Sequence, residues 1–331
     1  MGSTSGKDTG KHMLSLRSFA IFAASLMSFG MSIAFGQNYP NRPIRIASAA
    51  AGTSADVATR IIAQGISGPL GQQVVVDNRA TAVIAADAIA KAPPDGYSLL
   101  LAGTSLWVTP LMEKATYDPV KDFVPITLST VTPYVVLVHP SLSVRSIQEL
   151  VALAKTKPGE INYASAGSGS PSHLATELLK SMAGINIVRI NYKSTAAAST
   201  DLIAGNVQLT IAPFGPLVPY VKSGKLRALA VTSEKPSTLF PGLPTVSDSG
   251  LPGYVAVQYQ GVFAPAKTPA AINMRLAQEI VRVLNQPEVR EKFFGLGAEV
   301  VGSSPDQFAA VIKSDMEQLG GLIKTVGIKT E

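Results

Sequence analysis

The sequence contains no cysteine. That excludes disulfides, a thiolate nucleophile and a zinc–thiolate centre. Histidine is almost as scarce, with three in 331 residues, and no His/Asp/Glu cluster has metal-ligand spacing. Charged residues make up only 15% and carry a net +6. With no Lys/Arg run to concentrate it, that excess argues against a nucleic-acid partner and steers anionic solutes only weakly. Aromatic residues are few at 6%, against 28 glycines and 23 prolines. There is no internal repeat and no low-complexity linker.

Long hydrophobic runs are also missing. Residues 19–35 come closest, but Ser25, Ser28, Gly30 and Ser32 dilute them and they are too short for a comfortable membrane span. Lys7, Lys11 and Arg17 lie before or at the start of this run, and Ala34-Phe35-Gly36 puts small residues at the −3 and −1 positions before Gln37. Residues 1–36 are therefore expected to be a cleaved export signal, with residues 1–12 extraneous to its core. A lipoprotein anchor would need a Cys at the cleavage site. Cleavage would remove three basic residues and Asp8, leaving a net +4 on about 295 residues, enough for two domains.

What is present is an alternation of short apolar runs and amphipathic stretches. Strands are expected at 44–47, 74–76, 98–102, 135–138, 161–164, 188–191, 207–211, 226–232 and 255–263. Helices are expected at 55–66, 82–92, 147–157, 171–184, 196–204, 269–284 and 305–324. Ser146 with Glu149 has the spacing of a capping box, and Ser304-Pro305 with Gln307 reads as N-cap, N1 and N3. Alternating strands and helices imply an α/β fold of parallel-rich sheets covered on both faces. Without a floppy linker, two lobes would be joined by short crossovers, which suits hinge closure.

Two strand-to-helix loops carry the chemistry. The first runs Ser48-Ala49-Ala50-Ala51-Gly52-Thr53-Ser54-Ala55-Asp56, the second Ala164-Ser165-Ala166-Gly167-Ser168-Gly169-Ser170-Pro171-Ser172-His173. Small residues let backbone N–H groups approach a ligand, and the first turn of a helix leaves those donors unpaired and favours an anion. One such loop is an ordinary capped connection; two in one chain suggest an anion cleft between lobes. Gly167-Ser168-Gly169 is only a partial dinucleotide fingerprint, without a following acidic residue. A serine hydrolase would need Gly where Tyr163 precedes Ser165. Catalysis is therefore not expected, and no cofactor or metal is implied. Trp107, Phe214 and Tyr259 lie near strand ends, where cleft walls would be, and Ala212-Pro213-Phe214-Gly215-Pro216 reads as a stiff apolar loop.

With these loops in place, the chain resembles the substrate-binding receptors of tripartite tricarboxylate transporters, the Bug-type family. The likeness runs over the mature chain: residues 39–45 (YPNRPIR), 76–79 (VDNR), 94–100 (PDGYSLL), 163–174 (YASAGSGSPSHL), 224–232 (GKLRALAVT), 250–254 (GLPGY) and 261–269 (GVFAPAKTP). The resemblance implies a periplasmic, type II Venus-flytrap fold with one lobe at 37–138 plus 254–331 and the other at 139–253. It implies a receptor, not an enzyme, acting with a small and a large membrane subunit. It also implies a carboxylate held by backbone donors and waters, here at Ser48, Ala51, Gly52, Thr53 and Ser54, and at Ser165, Gly167, Ser168, Ser170 and His173. Thr104-Ser105 and Lys193-Ser194-Thr195 fall on the family's other cleft loops, and Pro213 and Phe214 form an apolar wall.

The chain departs from the family where Ser48, Ala49, Ala51, Gly52 and Thr53 replace Pro, Phe, Pro and two Gly, and where Ile211-Ala212 replaces Phe-Asp. Loss of that Asp argues against a cationic or amino-acid ligand. The Pro-Phe wall favours a flat apolar acid, because a buried ring contributes on the order of 1.5–3 kcal/mol. The expected ligand is an aromatic carboxylate, terephthalate or benzoate-like, with a citrate-like acid as the alternative. A sensor that presents its solute to a membrane signalling partner is the competing role. A monomer is expected, since nothing reads as a large exposed apolar face.

Overall fold

The computed structural model describes residues 39–329 together with Gly2. The export signal expected at 1–36 lies outside the described residues. From Arg42 onward the chain forms one compact unit.

Three strand–helix units open it: β1 (Ile44–Ser48) and α1 (Ser54–Leu70), β2 (Val74–Asn78) and α2 (Ala82–Ala90), β3 (Ser98–Gly103) and α3 (Ser105–Met112). β1 pairs in parallel with both β2 and β3. A 16-residue strand, β4 (Phe123–Val138), then leads into α4 (Ile147–Thr156), β5 (Asn162–Ser165), α5 (Pro171–Ala183), β6 (Val188–Asn191), α6 (Thr195–Ala204) and β7 (Leu209–Pro213). Here too the pairs β5–β6 and β5–β7 are parallel. After α7 (Val218–Lys222) and β8 (Arg227–Val231), the chain returns through β9 (Val257–Pro265), α8 (Ala270–Leu284), α9 (Pro287–Gly295), β10 (Glu299–Val300) and α10 (Pro305–Val326).

The sheet order is β2-β1-β3-β9-β4-β7-β5-β6, with β8 and β10 also on β4. β4 works in both halves. Its residues 123–133 pair antiparallel with β9, and Tyr134–Val138 pair antiparallel with β7. The architecture is α/β as expected, but the sheet is mixed. Parallel units make up the outer parts, and the long strands β4 and β9 enter antiparallel because they carry the chain across.

The apolar periodicities explain the layers. In β4, Val136 and Val138 face the main core, whereas Val135 and Leu137 face a second cluster with Ala198, Leu202 and Val231. On α10, Phe308, Ile312, Leu319 and Leu322 are buried on one stripe. Its capping box forms as the sequence implies, through Ser304 and Gln307. At α4 the Ser146 hydroxyl accepts from Glu149 N, but the Glu149 carboxylate reaches back to Arg145 N instead of Ser146 N. Among the described residues, no helix is long and apolar enough to cross a membrane.

Candidate functional site

Four helices begin at the wall of one cavity of about 310 Å³, α2 among them through its first residue, Ala82. The β1–α1 loop and helix start contribute Ala49, Thr53, Ser54 and Ala55 to that wall. The β3–α3 corner contributes Gly103, Thr104 and Ser105, and the β5–α5 loop contributes Gly169 and Pro171.

At the first loop, Gly52 (φ 82°) takes the left-handed turn that only glycine adopts without strain. Thr53 caps α1: its hydroxyl accepts from Asp56 N at 3.3 Å and donates to Ala50 O at 2.8 Å. Asp56 holds the loop from behind, accepting from Gly52 N at 2.9 Å and Asn78 Nδ2 at 2.8 Å and pairing with Arg60. Burial alone would raise its pKa, but these donors and the Arg60 charge hold it below the usual carboxylate value. Asp56 stays ionised and the loop stays shaped. The N–H groups of Ser54 and Ala55 have no partner among the described residues, as the first turn of a helix requires.

At the second corner, Thr104 N donates to Tyr259 O at 3.2 Å and the Thr104 hydroxyl accepts from Tyr259 N at 3.0 Å. A Cβ on Gly103 would sit 2.8 Å from Tyr259 O, so the close approach of β3 and β9 needs glycine there.

The third loop is tied down from within. Arg189 of β6 donates to Ser165 Oγ at 2.7 Å, Ala166 O at 2.9 Å and, more weakly, Ser168 Oγ at 3.5 Å. Ser170 caps α5, and its hydroxyl also donates to Ala166 O. His173 is buried, and its Nδ1 accepts from Gly169 N at 3.1 Å. Burial, helped by the Arg189 charge, pushes its pKa down to about 4, so the ring is neutral.

Of the residues expected at the site, Thr53, Ser54, Thr104 and Ser105 come together on the cavity. Ala51 and Gly52 belong to the same first loop but are exposed off the lining. Ser48 is fully buried, with its hydroxyl unpartnered among the described residues. Ser165, Gly167, Ser168, Ser170 and His173 frame the second loop without lining the cavity. Ser194 caps α6, and Thr195 begins it, away from the lining. Pro213 ends β7, and Phe214 packs edge-on against Phe240 at 4.8 Å beside the second apolar cluster. That contact satisfies the Phe214 ring and keeps it off the cavity wall.

Other residues enter unannounced. Gln258 and Gln260 of β9, Tyr134 of β4 and Asp315 of α10 line the cavity. Gln260 Nε2 donates to Ser54 Oγ at 3.2 Å, joining β9 to the start of α1. Trp107, expected as a cleft-wall aromatic, is fully buried against Tyr259, Phe263 and Phe308 and donates to Asp315 Oδ2 at 2.6 Å. The remaining lining is mostly aliphatic, from Leu101, Val108, Met112, Leu174, Val257 and Leu319; among the described residues no Lys, Arg or His is part of it. The arrangement offers amide and hydroxyl donors to an anion inside an apolar chamber.

Residues 58–328 match the family model described as the tripartite tricarboxylate transporter family receptor. Protein BugT of Bordetella pertussis is 37% identical over 297 residues, covering 88% of this chain and 91% of its own. Among solved structures, R. palustris Rpa4515 with adipate is 32% identical, with a TM-score of 0.69 over 88% of this chain and 99% of that one. MatC from Rhodopseudomonas palustris with bound malate is 26% identical, with a TM-score of 0.64 over 86% and 100%.

Proposed function

The chain belongs to the tripartite tricarboxylate transporter receptor family, solute-binding receptors for small carboxylates and not enzymes, and from that premise we propose that its own guest is an aromatic carboxylate. Terephthalate and benzoate-like acids are the leading candidates. The observation that carries this reading is the convergence of four helix starts on a chamber whose remaining wall is mostly aliphatic and, among the described residues, has no cationic side chain. Helix starts suit one carboxylate. A tricarboxylate would bring three charges with no Arg or Lys to meet them, whereas a ring would gain from the apolar wall.

Within this reading Thr53, Ser54, Thr104 and Ser105, with the amides of Ser54 and Ala55, hold the carboxylate. The lobes are 37–138 with 254–331, and 139–253. The change of β4 partner at Pro133/Tyr134 supports that division, with the crossing a few residues earlier. The receptor works in the periplasm as a monomer and hands its guest to a small and a large membrane subunit. The adipate and malate held by its structural relatives favour a second reading, an aliphatic dicarboxylate.

A thermal-shift panel of carboxylates separates the two. A true guest at 100 times its Kd adds about 2.7 kcal/mol of stability. Stabilisation by benzoate or terephthalate is expected; stabilisation by citrate or adipate with none from any aromatic acid would remove the aromatic reading.

A further inference from the structure

On α10, Asp315 occupies the stripe that is otherwise Phe308, Ile312, Leu319 and Leu322, all buried. A carboxylate at that position needs a reason. It is half-buried and lines the cavity. Oδ2 accepts from Trp107 of α3, while Oδ1 has no hydrogen-bond partner among the described residues. The titratable groups acting with it are Tyr134 of β4 and Tyr259 of β9, phenols that burial keeps protonated. From α5, the wall presents Leu174 and Ala175. Among the described residues, no Lys, Arg or His pairs with it. The chamber is therefore bipolar, with N–H donors at the helix starts and an acceptor on α10.

We propose that Asp315 determines specificity at this site, its free oxygen accepting a hydrogen bond from a guest that bears one carboxylate and, on its body, a hydroxyl or ammonium donor. This rests on the carboxylate reading above and narrows it, ranking a hydroxylated monoacid above terephthalate. A guest without a donor expels water and leaves Oδ1 an unsatisfied anion. A second carboxylate adds like-charge repulsion in a wall with no cation. A donor removes both penalties. The loss of the family's Asp at Ala212, within β7, argued against a cationic guest; Asp315 supplies a carboxylate from another element.

Calorimetry on the mature chain at pH 7.5 tests this with two matched series. One is benzoate, 4-hydroxybenzoate and terephthalate; the other is hexanoate, 6-hydroxyhexanoate and adipate. In whichever series binds, the hydroxy acid is expected to be tighter than the bare acid by about tenfold, as for a hydrogen bond to a charged group, and the diacid weakest. Asp315→Asn keeps an acceptor for Trp107 and turns an amide N–H₂ toward the guest. It should abolish the hydroxy advantage and strengthen diacid binding. Burial lifts the Asp315 pKa to about 6, so in the wild type the hydroxy advantage should shrink below pH 6, a check that needs no variant. Equal binding of hydroxy and bare acids, or a diacid that binds tightest and ignores Asp315→Asn, overturns the proposal. Which series binds decides aromatic against aliphatic independently of the order within it. Binding in neither removes the carboxylate reading and this inference with it.

Discussion

Asp315 and His173 show how burial acts on groups of opposite charge type. Each disfavours its own ionised form, so the acid's pKa rises to about 6 and the imidazole's falls to about 4. Between pH 6.5 and 4 an unfolded chain takes a proton on His173 that the folded chain refuses. The stability His173 contributes is complete above pH 6.5 and is lost as pH falls through 4. The shift corresponds to about 3 kcal/mol, and His173→Asn should flatten that part of a stability-against-pH curve measured by urea unfolding. A slope unchanged by the substitution would contradict the buried neutral ring.

Asp315 has the opposite sign. The folded chain holds its proton more tightly, so the unfavourable cost of its ionisation is absent below pH 3.8 and grows as pH rises through 6. Asp315→Asn should therefore be more stable than the wild type at pH 7.5, by about 1–2 kcal/mol once partial solvent exposure is allowed for. That gap should close below pH 4. A variant less stable at both pH values would mean that the Trp107 hydrogen bond outweighs the cost of burying the charge.

At the scale of elements, caps and short strands are the parts legible in the residues. Thr53, Ser146, Ser170 and Ser304 all accept from the N–H three residues on, because that chemistry is local. The sixteen residues of β4 are not so legible. Pro125, Pro133 and a Ser/Thr-rich middle break the apolar pattern, so only 135–138 read as strand. The structure accommodates Pro125 next to a register shift and Pro133 at the last pair with β9. α3 was hidden for a related reason, with Pro110 inside it.

Where β4 changes partners, Thr232 secures the join. Tyr134 N donates to its hydroxyl at 2.8 Å, that hydroxyl donates to Tyr134 O at 3.0 Å, and Thr232 is fully buried. Thr232→Val keeps the shape and strands the Tyr134 amide. A loss of about 1–3 kcal/mol is expected by urea denaturation; a change under about 0.5 kcal/mol would show that the join does not depend on this hydroxyl.

Over the whole molecule, the cavity draws on both halves of the sheet and on α10, which packs against α3 and α5. Saturating carboxylate should therefore slow amide exchange at Ser54 and Ala55 of α1 and at Ser172 of α5 in step. Protection confined to one helix start would contradict a shared chamber.

Local chemistry was enough to set most of the strands and helices, though not α3, α7, α9 or β10, together with the caps at Ser146 and Ser304 and the two loops of small residues, because each depends on neighbours a few positions away. The alternation of apolar and polar residues likewise implied an α/β fold without any coordinates. Assembly decided the rest. Arg189 claims hydroxyls of the second loop, Phe214 turns to Phe240, and Asp315 reaches the cavity from residues far along the chain. Asp315 did leave a trace, a carboxylate at the stripe spacing of 308, 312, 319 and 322. That spacing marks a face turned inward, but whether the face meets solid core or a chamber depends on packing between distant segments, which no local pattern encodes.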